Sequence, residues 1–130
     1  MGLMEALLWL TLTVYHEARN QDQFDQIAIA HVVINRAKKH NKSIKETVLY
    51  YKQFSWTYLK QDWYPYDHKA FLQCFQSVLI AKQGHDFTGG ATHYHEKKLK
   101  HVWRKDMIYL ADYGSHKFYK VNYSRRLTRR

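Results

Sequence analysis

Hydrophobic positions along the chain change their spacing, and this change predicts helices first and strands later. An apolar stretch predicts a first helix over about residues 3–18. Polar residues 20–22 break the pattern. A second helix is predicted over residues 23–39, and because residues 27–34 are apolar almost all round, this helix is expected to be the central buried one.

Capping residues mark two further helices. Ser43 and Glu46 form the Ser-x-x-Glu pattern of a capping box, which predicts a short third helix starting there. Asp67 is expected to cap a fourth helix over residues 70–83, which Gly84 ends.

Beyond the fourth helix the hydrophobic period shortens to that of strands. Three short strands are predicted, at residues 91–95, about 107–111 and 117–121. Residues 112–115 (DYGS) supply the turn between the last two strands. Residues 53–56 (QFSW) are predicted to be loop or extended chain.

These elements indicate one α+β domain, in which helices are followed by a short antiparallel sheet. A length of 130 residues with 45% hydrophobic residues suits a single core. The domain is expected to span residues 1–122, and residues 123–130 are expected to form a basic tail.

Composition points to polyanionic or ring-stacking partners. The net charge of +10 favours nucleic acid, anionic lipid or an acidic cell envelope, although each basic cluster taken alone also fits solvated surface. The 11 Tyr and 4 Trp residues fit a surface that binds sugars, bases or peptides, and they fit a tyrosine-rich core equally well.

The N-terminal residues and the single cysteine indicate the cellular compartment in which the chain folds. Cys74 is the only cysteine, so no intrachain disulfide can form, and folding in a reducing compartment is the simpler assumption. Residues 1–14 lack a basic start and a small-residue cleavage site and contain Glu5, so they are not expected to be a signal peptide. They are also too few to span a bilayer. Synthesis in the cytosol without an export signal is therefore expected.

Metal and nucleophile chemistry are weakly supported. His16-Glu17 begins like the zinc motif H-E-x-x-H, but the second histidine position is Asn20. His93 and His95 share a strand face and His101 and His116 could join them to reach the three ligands that a zinc site needs, but chance pairing is expected among 9 histidines. No metal and no cofactor are therefore assigned. His31 is expected to be a satisfied core histidine, and Cys74 an inert apolar residue.

Glu17 is the strongest candidate for a catalytic residue. A carboxyl at the C-terminal end of a buried helix lies against apolar walls and near the negative end of the helix dipole, and both raise its pKa. A carboxylic acid that stays protonated near neutral pH can give its proton to a glycosidic oxygen. The alternative is a frayed helix end at which Glu17 pairs with Arg19 or a lysine.

Five segments in a fixed order favour a catalytic role for Glu17 over a frayed helix end. They are residues 15–19 (YHEAR), 27–37 (IAIAHVVINRA), 53–56 (QFSW), 86–95 (DFTGGATHYH) and 114–119 (GSHKFY). Together they resemble the cell-wall hydrolase family typified by the spore-cortex-lytic transglycosylases, which also includes phage endolysins. The resemblance covers about residues 10–120 and implies a small lysozyme-like fold with a groove for glycan strands.

The resemblance also implies roles for individual residues. Glu17 corresponds to the catalytic acid of the family. The residues implied to line or brace the groove, with Trp56, Tyr94 and Tyr119 holding the sugars, are Gln53, Phe54, Ser55, Trp56, Thr92, Tyr94, His95, His116, Phe118 and Tyr119. For His116 and Phe118 a structural role is the alternative.

One departure from the family pattern leaves the reaction open. Where the family often continues EARGE, this chain has Asn20 and Gln21, so no second acid lies beside Glu17. A muramidase that hydrolyses the bond needs a partner carboxylate about 5–9.5 Å away, and Asp62, Asp67 and Asp86 are candidates. A lytic transglycosylase, which closes a 1,6-anhydro ring on N-acetylmuramic acid, needs no such partner.

The expected function is therefore peptidoglycan cleavage at the β-1,4 bond between N-acetylmuramic acid and N-acetylglucosamine, by a lytic transglycosylase with Glu17 as acid and base. Hydrolysis of the same bond by a muramidase is the alternative. The expected partners are glycan strands, with anionic envelope lipids or lipopolysaccharide at the tail and no specific nucleic acid. A monomeric phage endolysin is expected, made in the host cytoplasm and acting on the wall in the periplasm. The alternatives are a basic nucleic-acid or envelope-binding module without catalysis, and a virion structural protein.

Overall fold

Helices fill the first two thirds of the chain and a three-stranded antiparallel sheet follows, in a computed structural model that describes residues 2–99 and 106–122. The expected α+β order is confirmed. The predicted tail, residues 123–130, lies outside the described residues. The elements are α1 Gly2–Ala18, α2 Gln23–Lys39, α3 Ile44–Leu49, α4 Trp56–Leu59, α5 His68–Gln83, β1 His93–Glu96, β2 Met107–Tyr113 and β3 His116–Val121.

Side-chain caps define where the helices begin; those at Ser43 and Asp67 are predicted from the sequence, whereas the one at Asp22 is not. The Asp22 side chain accepts a hydrogen bond from the Phe24 amide at the start of α2. Both bonds of the Ser43–Glu46 capping box form, at 2.9 and 3.1 Å. Asp67 accepts from the Ala70 amide, so α5 starts at residue 68 rather than 70. Each cap satisfies a backbone amide that would otherwise lack a partner.

The core forms where α1, α2 and α5 all pack against one another. Residues 25–33 of α2 are all buried, which confirms it as the central helix. Ala28 and Ala30 are fully buried, and their small side chains allow neighbouring helices to approach closely. No helix in the described chain is long and apolar enough to cross a membrane.

Three tryptophans pack together beside this core. Trp56 contacts Trp63 with ring centroids 5.4 Å apart, and Trp9 lies 6.5 Å from Trp56 and 5.9 Å from Trp63. The ring of His16 stacks on Trp56 at 4.6 Å. We call these four residues the tryptophan cluster. It anchors the segment after α3 to α1, through Trp9 and His16.

The prediction of loop or extended chain for residues 53–56 is wrong at its end. Trp56 begins the single-turn helix α4, because the carbonyls of Phe54 and Ser55 accept hydrogen bonds from Thr57 and Leu59. Burial of Trp56 in the tryptophan cluster stabilises a turn that shows no helical period in the sequence.

The last strand in the chain lies in the middle of the sheet, in the order β1-β3-β2. β1 pairs with β3 so that Tyr94 faces Phe118 and Glu96 faces His116. Side chains alternate along a strand, so these four residues share one face of the sheet. The β2–β3 turn is made at Gly114, whose φ of 56° suits glycine.

Candidate active site

Glu17 lies in the last turn of α1, half-buried at the junction between the helices and the sheet. Its Oε1 accepts a hydrogen bond from the hydroxyl of Tyr94 on β1. Arg19 does not form the alternative pair with Glu17; it donates to the hydroxyl of Tyr15 and lies over that ring. Asn20, with φ of 69°, then turns the chain away from the helix. Glu17 therefore occupies a defined position rather than a frayed end.

Burial sets the protonation of this acid. Loss of hydration raises the pKa of Glu17 above its ordinary value, and the Tyr94 hydrogen bond opposes this rise. The charges of His116 and Arg36 also lower the pKa of Glu17, whereas the charge of Glu96 raises it. Burial raises the pKa of Tyr94 well above its ordinary value, so Tyr94 remains a donor at every physiological pH.

Arg36 connects Glu17 to the segments around it. Its Nε donates to the carbonyl of Thr92, its NH1 lies 3.5 Å from Oε1 of Gln53, and its guanidinium lies 5.0 Å from the ring centre of Phe54. A rigid planar fork of donors suits such a junction. Arg36 was not singled out in the sequence, although it lies within the segment 27–37 that carries the resemblance.

A buried pair lies behind Tyr94. His116 is 4% exposed and Asp25 is 0% exposed, and Nδ1 of His116 lies 2.8 and 2.9 Å from the two carboxylate oxygens of Asp25. The edge of the Tyr94 ring contacts His116 at 5.3 Å. The prediction that His116 binds substrate is corrected, because His116 is enclosed; its burial and its contact with the Tyr94 ring fit the structural alternative.

Two other predicted groove residues are also enclosed. Phe54 and Trp56 are each 2% exposed. Phe54 lies under the Arg36 guanidinium, and Trp56 lies within the tryptophan cluster. Neither offers a ring face to a sugar, which corrects the predicted roles of both. They support the site from beneath, as does the fully buried Phe118, for which the structural alternative holds.

The remaining predicted residues fall on two sides of the sheet. Gln53 and Ser55 are exposed near Arg36, and the Thr92 carbonyl binds Arg36. His95 and Tyr119 stack on each other with a 3.0 Å contact between Nε2 and the hydroxyl. By strand alternation these two rings lie on the face opposite to Tyr94. The structure thus brings Glu17 and Tyr94 together, with Arg36 beside them, and separates His95 and Tyr119 from them.

The three acids considered as partners of Glu17 each form hydrogen bonds that hold the surrounding structure. Asp62 accepts from the Tyr66 hydroxyl and the Tyr64 amide, and Asp67 caps α5. Asp86 binds Asn35 and the amide of Thr88. Glu96 is the carboxylate whose charge reaches Glu17, and it shares the sheet face of Tyr94. Sequence reasoning missed Glu96, which lies one residue beyond the predicted strand 91–95 but within the observed β1.

Other candidate groups are explained by burial. His31 is 3% exposed, its Nδ1 lies 3.8 Å from a carboxylate oxygen of Asp86, beyond hydrogen-bond distance, and its Nε2 has no hydrogen-bond partner in the described chain, so the expectation of a satisfied core histidine is wrong. Burial raises the pKa of Cys74 to about 11, which keeps this thiol unreactive. Within residues 2–99 and 106–122, no three His, Cys, Asp or Glu side chains are grouped to hold a metal ion.

The raised pKa of Glu17 predicts a pH-dependent stability. Between the ordinary value of 4.5 and the higher folded-state value, the folded protein keeps a proton that the unfolded chain has released, so stability falls as pH rises through this window. Glu17→Gln removes this contribution. The gain in free energy of unfolding over the wild type should therefore grow with pH and then level off, in urea titrations from about pH 4 to about pH 9. A gain that shrinks with rising pH would contradict the raised pKa.

The chain is similar to known proteins in sequence pattern and in fold. Residues 20–119 match the pattern of the cell wall hydrolase family; Glu17 lies just before the matched range. No curated protein sequence matches the chain significantly.

Two solved structures share the fold. One is the catalytic domain of the germination-specific lytic transglycosylase SleB from Bacillus anthracis, with 22% identity, a TM-score of 0.69, and coverage of 88% of this chain and 93% of that one. The catalytic domain of the Bacillus cereus SleB protein has the same identity and TM-score, covering 90% and 91%. The expected lysozyme-like domain thus has the SleB catalytic-domain fold.

Proposed function

The chain belongs to the cell wall hydrolase family, and on that premise we propose that it cleaves peptidoglycan glycan strands as a lytic transglycosylase, with Glu17 as acid and base. The bond is the β-1,4 linkage between N-acetylmuramic acid and N-acetylglucosamine. The observation that carries the proposal is the half-buried Glu17 carboxyl, whose pKa is raised by burial and whose orientation is held by Tyr94.

The proposed reaction uses one carboxyl twice. Protonated Glu17 gives its proton to the oxygen that joins the two sugars, the bond from that oxygen to C1 of muramic acid breaks, and positive charge develops at C1. The Glu17 carboxylate then takes the proton from the C6 hydroxyl of the same muramic acid. The freed oxygen bonds to C1 and forms the 1,6-anhydro ring. Glu17 returns to its protonated form, and no water is consumed.

The surroundings of Glu17 fit both halves of this cycle. Burial favours the protonated acid that must act first. The Tyr94 hydroxyl and the Arg36 charge stabilise the carboxylate that acts second. Since Tyr94 also fixes the direction of the carboxyl, the same oxygen can serve both steps.

The test is mass spectrometry of soluble products from purified peptidoglycan. Transglycosylation gives disaccharide peptides one water lighter than hydrolysis gives, and Glu17→Gln should give neither. Reducing muramic acid ends would instead identify a muramidase. Intact glycan strands with the wild-type protein would remove the proposed activity.

Hydrolysis of the same bond is the second candidate, and Glu96 is the observation that favours it. Glu96 carries a second carboxylate on the face of Tyr94, and its charge acts on Glu17. In a hydrolase it could activate water. Glu96→Gln should then abolish product formation, whereas a transglycosylase should retain most of its activity. Lys98, 3.9 Å from Glu96, gives a matched surface control as Lys98→Gln.

The biological setting is proposed from charge. A net charge of +10 would draw the enzyme to anionic envelope lipids or lipopolysaccharide, and residues 123–130 would contribute to this. We place its action in the periplasm as a monomeric phage endolysin made in the host cytoplasm. If removing residues 124–130 changed neither binding to anionic vesicles nor lysis of intact cells, the role of the tail would be refuted.

A further inference from the structure

A basic pocket adjoins the Glu17 site. It encloses about 290 Å³ and is lined by Arg36, Lys39, His40, Lys42, Thr47, Tyr50, Gln53, Thr92 and His93. No Asp or Glu is among the described residues that line it. Arg36 borders both regions, because its charge acts on Glu17 while its side chain forms part of the pocket wall.

The pocket is built from three separate segments, which are residues 36–42, residues 47–53 and residues 92–93. The C-terminal turn of α2 supplies Arg36 and Lys39, and the α2–α3 connection supplies Lys42, whose Nζ lies 3.8 Å from the centre of the Tyr50 ring. The chain leading into β1 supplies Thr92 and His93. Since Arg36 lines the pocket and its charge acts on Glu17, a ligand in the pocket lies on the Arg36 side of the proposed cleavage site.

The charge of the wall selects an anion. Three permanent cations surround a concave space, and the side chains of Gln53 and Thr47 add neutral hydrogen-bonding groups. Carboxylates and phosphates are the groups that such a fork of lysine and arginine donors binds. A neutral sugar ring gains little from this concentration of positive charge.

We propose that this pocket binds a carboxylate of the peptide stem carried by the muramic acid at the cleavage site, so that the enzyme selects strands bearing free stem carboxylates. The inference rests on the proposed function, since the substrate strand brings the stem to the pocket. A stem is attached through C3 of the muramic acid that reacts at C1, so its carboxylates are tethered to the reacting ring through the lactyl group and the first stem residues.

The experiment compares the wild type and one double variant on two substrates. Peptidoglycan freed of phosphate polymers is used as prepared, or after carbodiimide coupling with ammonia turns its carboxylates into amides of the same size. Lys39→Gln/Lys42→Gln should lower kcat/KM on the untreated substrate by about tenfold, the size expected for lost charge-assisted hydrogen bonds. The wild type should lose a similar factor on amidated substrate, and the double variant should not distinguish the two substrates.

A control double variant tests whether the loss comes from the lower net charge alone. Lys69→Gln/Lys82→Gln on α5 lowers the charge equally at two exposed residues outside the pocket, and it should behave as the wild type. If this control loses as much activity as the pocket variant, the effect is long-range attraction and the proposal is overturned. Equal wild-type rates on both substrates would also overturn it.

Binding measurements separate this inference from the proposed function. Co-sedimentation of Glu17→Gln with the two substrates reports the pocket even if no cleavage is ever observed. Inorganic phosphate added as competitor identifies the other source of the same chemistry. Displacement by phosphate together with no preference for free carboxylates would assign the pocket to phosphate groups and overturn the stem proposal.

Discussion

Replacing Glu17 with glutamine is expected to lower the rate of glycan cleavage by at least about a thousandfold, within the range that one acid–base group supplies. Glutamine keeps the shape of the side chain and can still accept the Tyr94 hydrogen bond, but it has no proton to give to the leaving oxygen. The rate of release of soluble disaccharide peptides, compared with the wild type at equal concentration, measures the loss.

Unchanged folding must accompany this loss. Far-ultraviolet circular dichroism and the urea midpoint should show that Glu17→Gln is at least as stable as the wild type at neutral pH, since the variant no longer buries an ionisable group. A variant that folds and cleaves within about tenfold of the wild-type rate would exclude Glu17 as the acid.

Tyr94→Phe is the companion variant, with a smaller loss and a distinct signature. The Tyr94 hydrogen bond lowers the pKa of Glu17, so removing the hydroxyl should raise that pKa further. The alkaline limb of the pH–rate profile, where the acid loses its proton, should then move to higher pH. A uniform loss at all pH values would indicate that Tyr94 only supports the fold.

Asp25→Ala is expected to destabilise the domain by about 3–5 kcal/mol, because it leaves His116 buried without its partner. The Asp25 carboxylate also accepts a hydrogen bond from the Ser115 amide. At Gly114 a Cβ would lie 2.7 Å from Oδ2 of Asp25, so the turn packs closely on the start of α2. Removing Asp25 therefore loosens the β2–β3 turn as well, and urea unfolding at neutral pH measures the change.

A double variant separates two contributions to the loss of stability: the broken Asp25–His116 pair and the cavity that alanine leaves. Asp25→Ala combined with His116→Phe removes the unpaired imidazole, so its loss of stability should be smaller than the sum of the two single losses. Additive losses would show that the two residues act independently. Since His116 contacts the Tyr94 ring, activity should fall in each of these variants even at temperatures where they remain folded.

Helices and caps were predictable because the determining groups are close in sequence. Ser43 with Glu46 and Asp67 with Ala70 are three residues apart, and the apolar run within α2 marks a buried helix without any tertiary information. The predicted strands were displaced by up to two residues at β1 and β2, where burial is weak and alternation gives little signal.

The site required contacts between residues far apart in the chain. Tyr94 reaches Glu17 across 77 positions, and His116 reaches Asp25 across 91, which no local pattern encodes. The resemblance identified Glu17 and Tyr94, but residue type alone could not distinguish an exposed aromatic ring from an enclosed one. Trp56 and Phe54 were therefore assigned to the groove, whereas packing on Trp63 and Arg36 encloses them.

The tryptophan cluster gives the molecule a local optical probe. Three of the four tryptophans emit from one place, and the His16 ring stacked on Trp56 belongs to the residue immediately before Glu17. Burial lowers the pKa of His16, so the imidazole stays neutral near neutral pH and quenches the indole only after protonation in acid. Tryptophan fluorescence therefore reports how the tryptophan cluster packs on α1, the helix that carries Glu17.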